Sequence, residues 1–354
     1  MKSTSLIINL LIIIISISAC KIAGEDILIP AKLGDKCGII DGNGRWVINP
    51  QFRTCSKFSN GLAVASIVDG YEPKYGYIDQ TGKWVIKPQF TVAEEFADNG
   101  LAAACKDYNI LGFGYIDKTG NFVIEPQFFY AQPFHMDLAV AYKSENQLGY
   151  IDKTGNWVIE PQFVGASDFQ DNGLATIAIS DNEEQLIIGF IDKSGHYVVN
   201  PQFEYNGYGN ILWGKWEYSL FPVWKNGKLG YIDETGHFAI EPQFDGGADF
   251  ANNGLAAICL DQRKWGYIDI KGEIVINPQF DRAKDFADNN FAAVELNKKW
   301  GFVDEKGKIV INPQFDDARI TKNVFFVKQD GKWGIIDNQG NWIAYPQFDE
   351  IWTD

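Results

Sequence analysis

From Ile27 onward the chain is written in short apolar runs separated by polar turns. Gly254 to Phe280 shows the pattern in one clean copy. Leu255 to Leu260 is apolar, Asp261 to Lys264 is a polar turn, and Trp265 to Asp269 is a second apolar run. Asp269-Ile270-Lys271-Gly272 reads as a β-turn, with Asp capping the first position and Gly at the last. Ile274 to Ile276 is a third run, and Pro278 is expected to end it, because proline has no N–H to give a ladder. Phe280 then enters the core, and a connector Ala283-x-x-Phe286 leads through Asp288-Asn289-Asn290 to the next copy. No stretch has the length and capping signals of an ordinary helix. Such runs predict about three short strands per copy and an all-β fold.

The copies are countable. Pro-Gln-Phe occurs with its proline at Pro50, Pro88, Pro126, Pro161, Pro201, Pro242, Pro278, Pro313 and Pro346. An Asp stands nine residues before each, from Asp41 to Asp337, and a Gly three residues after each Asp. The spacing between copies varies from 33 residues (Pro313 to Pro346) to 41 (Pro201 to Pro242). Since the Asp-to-Pro distance is fixed, the variable half after Pro-Gln-Phe must hold the loops. Fixed-period self-similarity is the signature of a repeat architecture. The reading is a single domain, 27–354, of nine three-stranded units. An open superhelical, solenoid-like array is favoured, with a large closed propeller-like ring as the alternative.

Lys264-Trp265-Gly266-Tyr267-Ile268-Asp269, Lys299-Trp300-Gly301-Phe302-Val303-Asp304 and Lys332-Trp333-Gly334-Ile335-Ile336-Asp337 resemble the WG, or KWG, repeat family of bacterial proteins. The resemblance spans about residues 27 to 351. Earlier copies keep the Gly but hold Cys37, Tyr75, Phe113, Leu148, Ile188 and Leu229 at the Trp position. The family is often exported and has no well-defined general activity, so the resemblance implies architecture more than function. Copies seven and eight place Trp265 and Trp300 before the Gly but Ile274 and Ile309 after the turn. Copies one and four reverse this, with Cys37 and Leu148 against Trp46 and Trp157. A core of fixed volume favours one large side chain over two, which suggests that the two positions touch, within a copy or between copies.

The N-terminus changes the picture of where the repeats sit. Lys2, an almost unbroken Leu/Ile run from Leu6 to Ile17, and Ser18-Ala19-Cys20 follow the order of a secretory signal. Ile17-Ser18-Ala19-Cys20 resembles the bacterial lipobox. That resemblance implies a lipoprotein signal peptide over 1–19, lipidation at Cys20 and a short tether over 20–26. The protein would then be exported and held by its lipid alone, at the outer membrane or cell surface more than the inner membrane.

Composition narrows the partners. The formal net charge is −15 and no Lys/Arg run exists, which argues against nucleic acid. Cys37, Cys55, Cys105 and Cys259 show no CxxC or CxC spacing, so no metal site is expected. Cys37 and Cys55 fall within one copy, which permits pairing in an oxidising compartment, but four small apolar core residues is the simpler expectation.

Candidate chemistry is sparse. His135, His196 and His237 form no motif, and the last two sit in turns. The nine-fold Asp-x-x-Gly lacks the D-x-D spacing of calcium loops and is expected to be structural. The Gln of Pro-Gln-Phe is expected to bond backbone in a buried ladder between units. No catalytic residue, metal or cofactor is expected, and no enzyme activity. A glycan hydrolase, the least favoured class, could draw only on Asp181, Glu183 and Glu184. The informative place is where the repeat breaks, between copies five and six. There Tyr205, Tyr208, Trp213, Trp216, Tyr218 and Trp224 replace the usual connector. Exposed aromatic clusters mark binding surfaces, although Leu212, Trp216, Phe221 and Trp224 could instead fill an irregular core. The expected function is non-enzymatic: a lipid-anchored cell-envelope protein presenting its β surface to a protein or glycan partner. A structural scaffold or spacer of the envelope is the alternative.

Overall fold

The computed structural model describes residues 27–70, 72–107, 111–180, 185–205, 220–261, 263–321 and 323–352. Over these residues the chain forms 35 β-strands and no helix. The strands make eight antiparallel sheets, seven of four strands and one of seven. The seven-stranded sheet is two units joined by a single residue pair, Glu204 with Trp224.

The eighth unit shows how each sheet is built. Its strands are Arg282–Ala283, Phe291–Leu296, Lys299–Asp304 and Ile309–Phe315, each paired antiparallel with the next. The expected three strands are therefore four. The extra one is a two-residue strand at the start of the connector, too short to carry any hydrophobic period. The proline expectation is also corrected: the last strand of the seventh unit runs from Ile274 through Pro278 to Phe280. It can do so because it is an edge strand, where a missing N–H costs no ladder bond.

The glycine of the WG motif explains that strand's shape. In the seventh unit the register jumps between the pairs Trp265–Phe280 and Tyr267–Ile276, so the edge strand bulges opposite Gly266. A Cβ on Gly266 would stand 2.4 Å from the Ile276 carbonyl oxygen and 2.7 Å from the Pro278 nitrogen. The motif Gly and the Pro of Pro-Gln-Phe are thus two halves of one bulge.

Packing is between units. Each of the eight hydrophobic clusters draws residues from successive sheets, such as Ala293, Trp300 and Phe315 of unit 8 with Ala318, Phe325 and Ile336 of unit 9. At several junctions the Pro-Gln-Phe phenylalanine of one unit meets an aromatic at the start of the next unit's last strand. Phe52 and Trp84 lie 5.3 Å apart, Phe128 and Trp157 5.7 Å, and Phe315 and Trp342 6.0 Å, all edge to face. The Trp position before the motif Gly pairs across the sheet with that same phenylalanine, as Trp300 does with Phe315. The two bulk-trading positions therefore flank one phenylalanine from two successive units, rather than meeting within one copy. The Gln residues lie elsewhere than expected. All nine are exposed on the last strand of their units, not in a buried ladder.

The same contacts join the last unit to the first. Trp46 stands 5.5 Å from Phe348, and a Cβ on turn residue Gly44 would press on Ala344. The first unit takes its fourth strand from the C-terminus: Glu350–Ile351 pairs with Ile29–Leu33. The Asp349 and Trp352 amides donate to the Lys32 and Pro30 carbonyls. No single sheet closes on itself. Closure lies between units, and of the two arrangements open at the sequence level the ring is the one these contacts form.

Cys37 and Cys55 are joined in a disulfide that links the third strand of unit 1 to the first strand of unit 2. This corrects the simpler expectation for that pair, while Cys105 and Cys259 are free and buried as expected.

Candidate functional site

The break between units 5 and 6 is framed by Tyr197–Glu204 on one side and Leu220–Lys225 on the other. Tyr208, Trp213, Trp216 and Tyr218 fall in 206–219, outside the described residues, as does Cys20 near the N-terminus. Tyr205 is half-buried and packs against the cluster shared by units 5 to 7. Trp224 is only 7 % exposed, lies in that cluster and pairs with Leu229. It is a core residue rather than an exposed binding aromatic, because its place in a two-sided buried strand turns the indole inward.

Phe221 shows how the framework survives the break. In ordinary units a buried tyrosine of the Gly-Tyr-Ile-Asp run reaches the next connector. Tyr77, Tyr115, Tyr150, Tyr231 and Tyr267 donate to the carbonyls of Glu94, Gln132, Ser167, Ala248 and Lys284 at 2.7–2.8 Å. The connector phenylalanine leans on the same ring, as Phe286 does on Tyr267 at 4.7 Å. Burial pushes these phenols well above their ordinary range. In unit 5 the tyrosine is replaced by Phe190, and Phe221 takes the connector phenylalanine's part at 4.9 Å. The repeat's contact is thus completed by a residue beyond the insert.

The nine aspartates are turn residues, as expected. In each turn the Gly N–H donates to the Asp carbonyl, and Oδ1 accepts from the backbone N–H two and four residues on. In Asp79, Asp117, Asp152, Asp192 and Asp233 a Thr or Ser hydroxyl also donates to the carboxylate, and this holds the carboxyl below its usual range. His196 and His237 are exposed beside those hydroxyls. Asp181, Glu183 and Glu184 lie outside the described residues. Among the described residues no group of three His, Cys, Asp or Glu side chains could hold a metal.

The connectors carry the less ordinary carboxylates. Asp168 Oδ1 is buried with no hydrogen-bond partner among the described residues, and burial pushes its carboxyl up, while nearby His135 lowers it. His135 Nδ1 is 2.7 Å from the Phe169 carbonyl oxygen. Glu95 is likewise pushed up by burial. Sequence reading did not single out Asp168 or Glu95, because neither belongs to a motif; the juxtaposition of connectors from successive units is what brings Asp168 near His135.

No curated protein matches the sequence. Among solved structures the chain is similar to a eukaryotic initiation factor, at 11% identity and a TM-score of 0.64, covering 92% of this chain and 96% of that one. It is also similar to BamB from Moraxella catarrhalis, at 13% identity and a TM-score of 0.42, covering 88% and 93%. At 11% identity the likeness to the initiation factor speaks to fold alone. The family described as "WG containing repeat" matches nine segments: 38–71, 75–109, 113–145, 149–181, 188–208, 230–263, 265–300, 300–333 and 333–353. With that match covering most of the chain, and with the motif Gly and Pro now seen as partners in one bulge, the protein belongs to the WG-containing repeat family.

Proposed function

We propose that this protein is a lipid-anchored binding protein of the bacterial cell envelope, without enzyme activity, that takes a glycan or protein partner at the insert between units 5 and 6. The observation that carries the reading is the break in the repeat between units 5 and 6, where Tyr208, Trp213, Trp216 and Tyr218 crowd into one short segment. Among the described residues the ladder across this break is reduced to the single pair Glu204–Trp224, and the usual connector is replaced there by an aromatic-rich segment. Flat aromatic faces suit sugar rings and protein hot spots alike. Export and anchoring rest on the apolar run Leu6 to Ile17 and on Ser18-Ala19-Cys20. The Cys37–Cys55 disulfide supports the same placement, because such bonds persist in oxidising compartments.

The test is tryptophan fluorescence of the chain from residue 21, titrated with peptidoglycan fragments and a glycan panel. The expected result is a saturable change that is lost in a folded Trp213→Ala, Trp216→Ala variant. A response that the double variant retains would remove the insert from the reading. No response to any glycan would turn it to protein partners and to the scaffold role.

A further inference from the structure

Trp265, Trp300 and Trp333 hold equivalent places in units 7, 8 and 9. Each precedes the motif Gly and pairs across its sheet with its own unit's Pro-Gln-Phe phenylalanine. Two of the three indoles carry a cation. Lys284 Nζ lies 4.8 Å from the Trp300 ring centre, and the Arg319 guanidinium 4.6 Å from that of Trp333. Those cations also hold equivalent places, each the fourth residue after the preceding Pro-Gln-Phe phenylalanine, Phe280 or Phe315. In unit 7 the fourth residue after Phe244 is Ala248. Its methyl cannot cover an indole, and the neighbouring short strand is Gly246–Gly247, which adds no side chain.

The consequence is visible in the surface. Trp300 and Trp333 are 7 % and 3 % exposed, whereas Trp265 is half-buried. Beside it a cavity of about 520 Å³ opens where the connectors of units 7, 8 and 9 meet, lined by Ala248, Trp265, Asp285 and Phe286 among others. That volume is ordinary for a small-ligand pocket. Lys284 and Arg319 also reach its wall, but their charges are engaged elsewhere. Lys284 donates to Asp317 at 3.3 Å and to the Ala318 carbonyl at 2.8 Å, and Arg319 donates to the Ile351 carbonyl at 3.0 Å.

We propose that this cavity binds an organic cation, an alkylammonium or guanidinium group that rests on Trp265 where a lysine or arginine of the protein rests on Trp300 and Trp333. The protein's own units show the geometry the ligand would copy. An indole face attracts a cation through its quadrupole, and most strongly when the contact is partly desolvated. The net charge of −15 favours the approach of a cation. The cation could belong to a side chain of a protein partner or to a small amine.

Isothermal titration calorimetry on the chain from residue 21 separates these cases. The probes are choline, N-acetyl-lysine methylamide, N-acetyl-arginine methylamide and 3,3-dimethylbutanol, the neutral isostere of choline. At least one cation should bind about fivefold or more tightly than the neutral alcohol, the ratio set by about 1 kcal/mol of cation–π attraction. Binding of the lysyl or arginyl probe alone points to a peptide side chain, and of choline alone to a quaternary headgroup. Ala248→Lys supplies the missing cap and should abolish binding while leaving the melting temperature unchanged or higher. Trp265→Leu should abolish it as well. The proposal is overturned if no cation binds, if the neutral alcohol binds equally well, or if Ala248→Lys binds as the parent does. A failed glycan titration at the insert leaves this result untouched, since the cavity lies in other units.

Discussion

Units 1 and 6 depart from the regular sheet in opposite ways. Unit 1 has all four strands, but its first, Glu350–Ile351, comes from the far end of the chain and has no connector to its second, Ile29–Leu33. Unit 6 has an unbroken chain, but its described strands number three, and its link to unit 5 is the Glu204–Trp224 pair. In both, the contacts that define a unit survive. Asp349 in unit 1 repeats what Asp316 does one unit earlier. Asp316 binds Lys299 at 2.6 Å and accepts the Asp330 N–H at 3.0 Å; Asp349 binds Lys332 and accepts the Gly34 N–H at 2.9 Å. In unit 6, Glu204 accepts the amides of Asn226 and Gly227 in the same manner, and Phe221 serves for the connector phenylalanine. A unit is therefore held by its ladder and its neighbours, and the connector is the part that can be cut or enlarged. That is why an insert is tolerated there.

The largest expected effect breaks unit 1. Ending the chain after Phe348 removes the closing strand, the Asp349 clip and Ile351, which is 2 % exposed. Deleting one buried aliphatic side chain alone costs about 2–5 kcal/mol. Urea denaturation should show at least that loss, and X-ray scattering a larger radius. An unchanged midpoint would mean that closure adds nothing to stability.

A smaller effect sharpens the comparison. If the contact between units 9 and 1 is an ordinary one, Trp46→Ala and Trp342→Ala should cost about the same, near 3 kcal/mol each, since each indole meets the preceding unit's phenylalanine edge to face. A loss for Trp46→Ala below half that for Trp342→Ala would mark the closing contact as the weak point of the ring.

The smallest effect concerns Asp168 at the entry to unit 5. Its folded-state pKa is raised, so the folded protein holds that proton more tightly than the unfolded chain does. The group's contribution to stability is lost as pH rises from the ordinary aspartate value of about 3.9 through the folded value. Asp168→Asn should therefore stabilise by about 1 kcal/mol at pH 8, and the difference should vanish at acid pH. The lowered turn aspartates act in the opposite sense: their contribution is present at neutral pH and lost as pH falls. A gain from Asp168→Asn that did not change with pH would show that the carboxyl's charge is not the cause.

Much of this molecule was legible because each unit must satisfy the same local chemistry. Asp269 through Gly272 reads as a turn on residue type alone, and the structure gives it the expected hydrogen bonds. The motif Gly was visible as invariant between copies, but its cause was not, since the Ile276 carbonyl that excludes a Cβ comes from a bulge that leaves no mark on composition. Gly246–Gly247 could not be read as a strand, because two glycines carry no period. The cavity beside Trp265 did leave a trace: Ala248 stands where Lys284 and Arg319 stand in the next two copies. That trace has meaning only once the cations are known to lie on indoles.

The sequence by itself determined the unit, its turns, its count of nine and its membership of a repeat family. These depend on contacts between residues close in the chain, which repeat whenever the residues do. Whether nine units form an open array or a ring depends on the rotation from one unit to the next. That rotation is set by how aromatic and aliphatic side chains of two sheets wedge together, and small differences accumulate over nine steps. The pairing of Ala31 with Ile351 and the Trp46–Phe348 contact follow from that accumulated geometry, and the Cys37–Cys55 bond and the cavity beside Trp265 from how neighbouring units meet. Only the tertiary structure could decide them.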